Sequence, residues 1–261
     1  MPGEFPWDTQ RALDGVLDEC VADAQCAAAF PKIRDEMGSV LARLRKGPVE
    51  VDVTVDKNPA KVKLSRDLAA EAVRYMLYNS GTASRIPLVL HEAWKGNFEP
   101  LAEAAIFYRK AIVATGAAGL YLSVTCAEDL PFAKRTDQAD AENTFLGSYR
   151  LRQQLEGCAE WPQGKVPKGY SKPVTSNVPA LILSGQRDPV TPPAYGERVA
   201  RRLPNSLHIV VPSGGHGFGG LDGLDCITQL SDRFIESGST KGLDTACVKG
   251  IKRKGFDLKL E

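Results

Sequence analysis

The stretch from Val178 to Gly220, VPALILSGQRDPVTPPAYGERVARRLPNSLHIVVPSGGHGFGG, constrains the fold of this chain more than any other. Pro179 to Ser184 is a short apolar run bounded by Pro and by Ser-Gly, which predicts a strand buried on both faces. Gly185, Asp188, Pro189, Pro192 and Pro193 make the next residues a turn-rich loop. Tyr195, Val199 and Leu203 recur at helical spacing, so a helix is expected over 194–203, ended by Pro204-Asn205. A second strand follows over Leu207 to Val211, closed by Pro212 before SGGHG. A strand, a crossover helix and a parallel strand are right-handed almost without exception. Both loops therefore open at the same sheet edge, where Asp188 can meet His216.

A carboxylate held against one imidazole nitrogen fixes the tautomer and stabilises the imidazolium, leaving the other nitrogen free to act as a general base. Alone, an Asp before Pro is a turn former, and a His in a glycine-rich loop says little. The specific signal is the pair at the ends of adjacent parallel strands, acid first and His second. At this point LSGQRDPVTPP and VVPSGGHG resemble the C-terminal half of an α/β-hydrolase, in its tripeptidyl aminopeptidase and proline iminopeptidase branch. That resemblance implies a nucleophile on a G-x-S-x-G elbow earlier in the chain. Neither that motif nor an HGGG-type segment occurs in the 261 residues, and PGEFPWDTQRALDGVLDEC resembles the start of the family's cap. The expectation is a partial α/β-hydrolase fold without its nucleophile-bearing N-terminal half. A mainly helical cap containing a β-hairpin is assigned to residues 1–118, and the C-terminal part of the parallel-sheet core to 119–261.

Composition narrows the classes. With 43% hydrophobic residues the chain can bury a sizeable core, and its net charge of +1, from 33 basic and 32 acidic residues, argues against a nucleic-acid partner. No apolar run of 18 residues offers a membrane span, and the N-terminus lacks a basic-then-apolar signal pattern.

In chain order, the first third is helical. Asp8 is a candidate N-cap for a helix whose face is Leu13, Val16, Leu17, Cys20 and Val21; Asp23 can cap a second helix; Ile33, Met37, Val40, Leu41 and Leu44 mark a third. Cys20 and Cys26 read as a short disulfide, or as two buried thiols, and their spacing does not suit zinc. Val49, Val51, Val53 and Val55 alternate with polar residues, DKNP turns the chain, and Val62 and Leu64 alternate again, which is a hairpin with one wet face. Helices are expected from Ser65, over 83–95 and over 99–115, with His91 an ordinary helix residue near Trp94. After the small-residue joint at Gly116 to Gly119, LYLSVTC reads as a strand leading to Glu128-Asp129.

SVTCAED resembles the point where cap gives way to core in the aminopeptidase family. Glu128 and Asp129 are thus candidates to receive a peptide's α-ammonium group, or they simply cap the next helix. A helix over 139–155 leads into a Pro- and Gly-rich loop, which Cys158 can pin by pairing with Cys126. A closing helix is expected over 222–235. Cys226 with Cys247 resembles the family's C-terminal arrangement. His208 is placed within a strand, at a surface or edge position, and the tail from Lys249 to Glu261 receives no role.

The resemblance implies an exported (secreted or periplasmic) serine hydrolase that releases residues from peptide N-termini, or an esterase of the same fold. His216 would shuttle the proton and Asp188 would orient it, on a small peptide or ester substrate and with no metal or organic cofactor. The alternative is a non-catalytic fragment, or one part of a split enzyme that needs an N-terminal partner. An even set of six cysteines suits an exported protein. Non-reducing peptide mapping is expected to find Cys20–Cys26, Cys126–Cys158 and Cys226–Cys247, whereas six alkylatable thiols in protein from an oxidising compartment would refute the assignment.

Overall fold

In the computed structural model, residues 2–55, 57–132 and 141–260 are described. Helix α1 (Phe5–Ala22) has a proline in its first turn, where the missing N–H is no loss. It buries Ala12, Leu13, Val16, Leu17 and Cys20. Asp8 is not the N-cap; it lies inside the first turn and is 4% exposed, because the Tyr195 hydroxyl donates to it at 2.6 Å and Arg11 pairs with it. Asp23 does cap α2 (Ala24–Ala29), accepting from the backbone N–H of Gln25 and Cys26 at 3.0 and 2.9 Å. A Cys20–Cys26 disulfide closes this corner.

Helix α3 (Ile33–Arg45) buries Ile33, Val40 and Leu44. The expected hairpin follows as β1 (Val49–Val55) and β2 (Asn58–Leu64), antiparallel with Val51 opposite Val62. Within its DKNP turn Lys57 has a φ of 68°, and Asp56 lies outside the described residues. Ser65 caps α4 (Arg66–Met76) by accepting from the N–H of Leu68. A short helix α5 (Ser80–Ala83) precedes the helix expected over 83–95, which forms as α6 (Ile86–Trp94) with Pro87 in its first turn, where the missing N–H is no loss. Helix α7 (Glu99–Thr115) packs back on α4 and α6. Buried side chains of all these elements form one core, which Phe145, Leu146 and Phe256 from the second half of the chain complete.

LYLSVTC is not a strand. It folds as α8 (Ala118–Val124) running into a π-helical turn, Thr125–Asp129. A short apolar run cannot tell strand from helix by period alone, and a helix satisfies its own backbone where no strand is alongside to pair with. Leu120, Tyr121 and Val124 are exposed here. Helix α7 and the α8 segment bend by 83° at the intervening break, and among the described residues no single helix is long and apolar enough to cross a membrane.

The expected helix over 139–155 is also revised. Residues 139 and 140 lie outside the described set, residues 142–148 are turns, and helix α9 spans Tyr149–Glu160. The Arg66 guanidinium donates to the carbonyls of Thr144, Phe145 and Leu146 at 3.2, 3.1 and 3.4 Å, which competes with a helical ladder for them.

Strand β3 (Ala180–Gly185), helix α10 (Pro193–Ala200) and strand β4 (Ser206–Val211) form the parallel crossover unit, in register from Ala180 opposite Ser206 to Gly185 opposite Val211. Burial of β3 on both faces is not observed: residues 180–183 are half-buried and only Ser184 and Gly185 are buried, because β4 is its one partner strand among the described residues. A second core joins Ile209 and Val211 to Ile227 and Leu230 of helix α11 (Asp225–Ser237). The tail has a structural role that its sequence did not reveal. Strand β6 (Lys252–Arg253) pairs antiparallel with β5 (Leu221–Asp222), Ile251 enters the second core, and Phe256 crosses to the first.

All six cysteines are paired as expected, Cys20–Cys26, Cys126–Cys158 and Cys226–Cys247, which suits an oxidising, extracellular compartment. Cys226 and Cys247 are 21 positions apart. Replacing both with serine is expected to cost about 3 kcal/mol in urea unfolding, as for opening a loop of that length.

Candidate active site

Asp188 and His216 meet at the carboxyl edge of the β3–β4 pair. His216 Nδ1 lies 3.1 Å from Asp188 Oδ2 and 3.2 Å from Oδ1. Local chemistry fixes the acid: Oδ1 accepts the backbone N–H of Val190 and Thr191 at 2.8 and 2.9 Å, and Oδ2 accepts the Thr191 hydroxyl at 2.8 Å. The Asp-Pro-Val-Thr sequence thus makes its own turn around the carboxylate.

The two loops are joined directly. The N–H of Arg187 donates to the carbonyl of Gly214 at 2.7 Å, and the N–H of Ser213 donates to Gln186 Oε1 at 2.9 Å. Glycine is required where they cross, since a Cβ on Gly185 would sit 2.0 Å from the carbonyl oxygen of Gly215. Gly217 N–H donates to the carbonyl of Tyr78 at 2.9 Å, which seats the histidine loop on the end of α4. The Tyr78 ring then packs tilted against His216, centroids 5.1 Å apart. Arg74, 2% exposed, pairs with Glu71, donates to the Tyr78 hydroxyl and lies over the Tyr75 ring at 4.0 Å.

The electrostatics match this geometry. Burial pushes the Asp188 carboxyl up, but the His216 bond, the Thr191 and Val190 N–H groups and the Thr191 hydroxyl outweigh it, holding Asp188 below the ordinary 3.8. The Asp188 bond pushes His216 above the ordinary 6.5, against partial desolvation and the charge of Arg74. An ionised acid that only accepts makes Nδ1 the donor, so the lone pair of the neutral ring sits on Nε2. Among the described residues Nε2 makes no hydrogen bond, and the His216 side chain is 42% exposed. The arrangement can take a proton from a group presented at Nε2.

Residues 143–247 match the family model described as TAP-like protein. Over this segment the chain is similar to TAP-like α/β-hydrolases. No curated protein and no solved structure gives a significant match. The matched segment includes Asp188, His216 and the Cys226–Cys247 disulfide, and the match supports a hydrolase in general.

Glu128 and Asp129 lie on the π-helical turn and not at a strand end. The Tyr170 hydroxyl donates to Glu128, and the adjacent Cys126 is bonded to Cys158. No hydrogen bond or ion pair among the described residues joins either acid to Asp188 or His216. His91 is a helix residue beside Trp94, its Nδ1 2.9 Å from the buried Glu36. His208 lies on β4 with Nε2 2.9 Å from Ser184 Oγ, so this serine faces the wrong histidine to be a nucleophile. Among the described residues no group of three or more His, Cys, Asp or Glu side chains is placed to hold a metal ion.

Sequence reading missed Thr191, Tyr78 and Arg74. Thr191 was legible, as the third residue after an Asp in a turn; the other two had no local signal, being brought to His216 by tertiary packing.

Folding raises the pKa of His216, so its contribution to stability is complete below pH 6.5 and is lost as pH rises through the raised value. Asp188 is lowered, so its contribution is present above 3.8 and is lost as pH falls through the lowered value. The stability gap between wild type and Asp188→Asn is therefore expected to be widest between these limits and to narrow toward alkaline pH. NMR titration should show His216 falling toward its ordinary value in Asp188→Asn; an unchanged titration would separate the two residues functionally.

Proposed function

We propose that Asp188 and His216 are the acid and the base of a serine hydrolase of the aminopeptidase type, acting on peptides or small esters. One observation supports this above all: an ionised, fully hydrogen-bonded carboxylate presents an imidazole whose Nε2 is unoccupied, at the strand ends of a TAP-like segment. His216 takes the proton from the attacking hydroxyl and returns it to the leaving group, and Asp188 stabilises the imidazolium formed between those steps. The 261 residues hold no G-x-S-x-G, so this reading assigns the nucleophile and the oxyanion donors to polypeptide outside them. Residues 1–118 act as the cap that sets access. The α-ammonium acceptor is assigned to Glu128 or Asp129, on the turn fixed by Cys126–Cys158.

Activity-based labelling tests the first part. The 261-residue chain alone is expected to leave a fluorophosphonate probe and an aminoacyl ester untouched. Supplied with the polypeptide encoded immediately upstream, it should label on one serine, with turnover falling roughly 10²- to 10⁴-fold in His216→Ala. Labelling of a serine within the chain alone, lost in His216→Ala, would overturn the assignment of the nucleophile. The second part is read on the active assembly. Glu128→Gln or Asp129→Asn should lower activity on free-amine substrates by an amount corresponding to about 1.5–3 kcal/mol while sparing N-blocked esters. Equal losses on both would show a folding role.

A further inference from the structure

The structure assigns to Glu19 the positioning of the Asp188–His216 pair. The assignment rests on the reading of that pair as the acid–base machinery. Glu19 is on the last turn of α1, in the N-terminal block, yet its carboxylate lies where the two site loops and the C-terminal tail converge. Oε1 accepts Arg187 Nε at 2.8 Å and the Ser213 hydroxyl at 3.4 Å, and Oε2 accepts Arg253 Nε at 3.0 Å. Arg187 immediately precedes the acid, and Ser213 opens the SGGH segment that ends in the base. One carboxylate thus fastens both loops to a third element.

Three features make this a built contact. First, Arg187, Arg253 and Glu19 have side chains only 26%, 14% and 20% exposed, so the charges are held largely away from water and depend on one another. Second, the surroundings are shaped for it. A Cβ on Gly15 would sit 2.7 Å from the Arg187 guanidinium, so α1 has a glycine where that side chain crosses, and Arg253 lies 3.3 Å over the Phe256 ring. Third, Ser213 has a φ of 51°, a left-handed conformation that a non-glycine residue adopts only when its surroundings hold it. Its N–H on Gln186 and its hydroxyl on Glu19 supply that hold. Cys20, the neighbour of Glu19, is bonded to Cys26, which stiffens the end of α1 that carries the carboxylate.

The consequence follows from geometry. The hydrogen bond between His216 and Asp188 spans two loops, and such a pair loses its function when either loop moves by about an ångström. Glu19 touches neither side chain; it limits the movement of the residues that carry them. Glu19→Gln keeps the shape but removes the charge that both guanidiniums need, and Glu19→Ala removes the contact altogether.

The experiment uses the whole chain with ¹⁵N-labelled histidine and follows His216 by NMR, its signals assigned with His216→Asn. In wild type the imidazole should show a hydrogen-bonded Nδ1–H and a pKa above the ordinary value. Both Glu19 variants are expected to broaden or lose the Nδ1–H signal and to move the His216 pKa downward. Leu44→Ala, in the core remote from the site, serves as the control for general destabilisation, matched by melting temperature. Glu19→Asp, with the charge restored on a shorter stem, should recover part of the signal. A His216 signal and titration unchanged in both folded Glu19 variants would overturn the proposal, as would an equal change in Leu44→Ala. Because the readout is not turnover, the positioning role stands or falls separately from the hydrolase reading. A shifted His216 in an assembly that never hydrolyses would refute only the latter.

Discussion

Both halves of the chain close on helix α1. Its apolar face, Leu13, Val16, Leu17 and Cys20, is buried in the helical core. Its polar positions reach across to the second half. Thr9 donates to the carbonyl of Pro189, Asp8 accepts from Tyr195, Gln10 accepts the N–H of Phe145, and Glu19 holds Arg187 and Arg253. Two of these contacts, at Pro189 and Arg187, flank Asp188 directly. An amphipathic helix normally leaves its polar stripe to water; here part of that stripe sets the position of a loop about 170 residues further on.

The site itself rests on how a buried charge is stabilised. Burial of a carboxylate as enclosed as Asp188, 6% exposed, pushes its pKa up and disfavours the ionised form. Four hydrogen bonds keep it ionised, three from its own turn and one from His216. The turn supplies most of them, so the position of the acid depends mainly on its own neighbours. The imidazole then completes the shell and leaves one nitrogen open. On the other side, Tyr78 separates His216 from the guanidinium of Arg74, which opposes protonation at a distance. The base is thus tuned by one partner in contact and one behind a ring.

Local capping and alternation were read correctly where the residues act on their own neighbours. Asp23 caps the helix that comes after it, the valine alternation at 49–55 pairs as a hairpin, and the β3–α10–β4 unit appears as the expected parallel crossover. Failures occurred where a distant group decided. Arg66 competes for three carbonyls that a helix over 139–155 would have used. LYLSVTC found no neighbouring strand and coiled into a helix. Asp8 lies inside a helix that begins at Phe5, where it accepts from Tyr195 and does not act as a cap.

By itself the sequence determined the crossover unit, the order of acid and base and the turn that solvates Asp188. Each comes from residues near one another in the chain or from the fixed hand of a parallel connection. Only the tertiary structure decided that Nδ1 of His216 reaches Asp188 with Nε2 left open, that Tyr78 and Arg74 stand behind the base, and that the tail returns to place Arg253 on Glu19. The reason is physical. Side chains from α1, α4, the loops and the tail share no local pattern, and they meet because two apolar cores, each assembled from distant segments, bring their ends together.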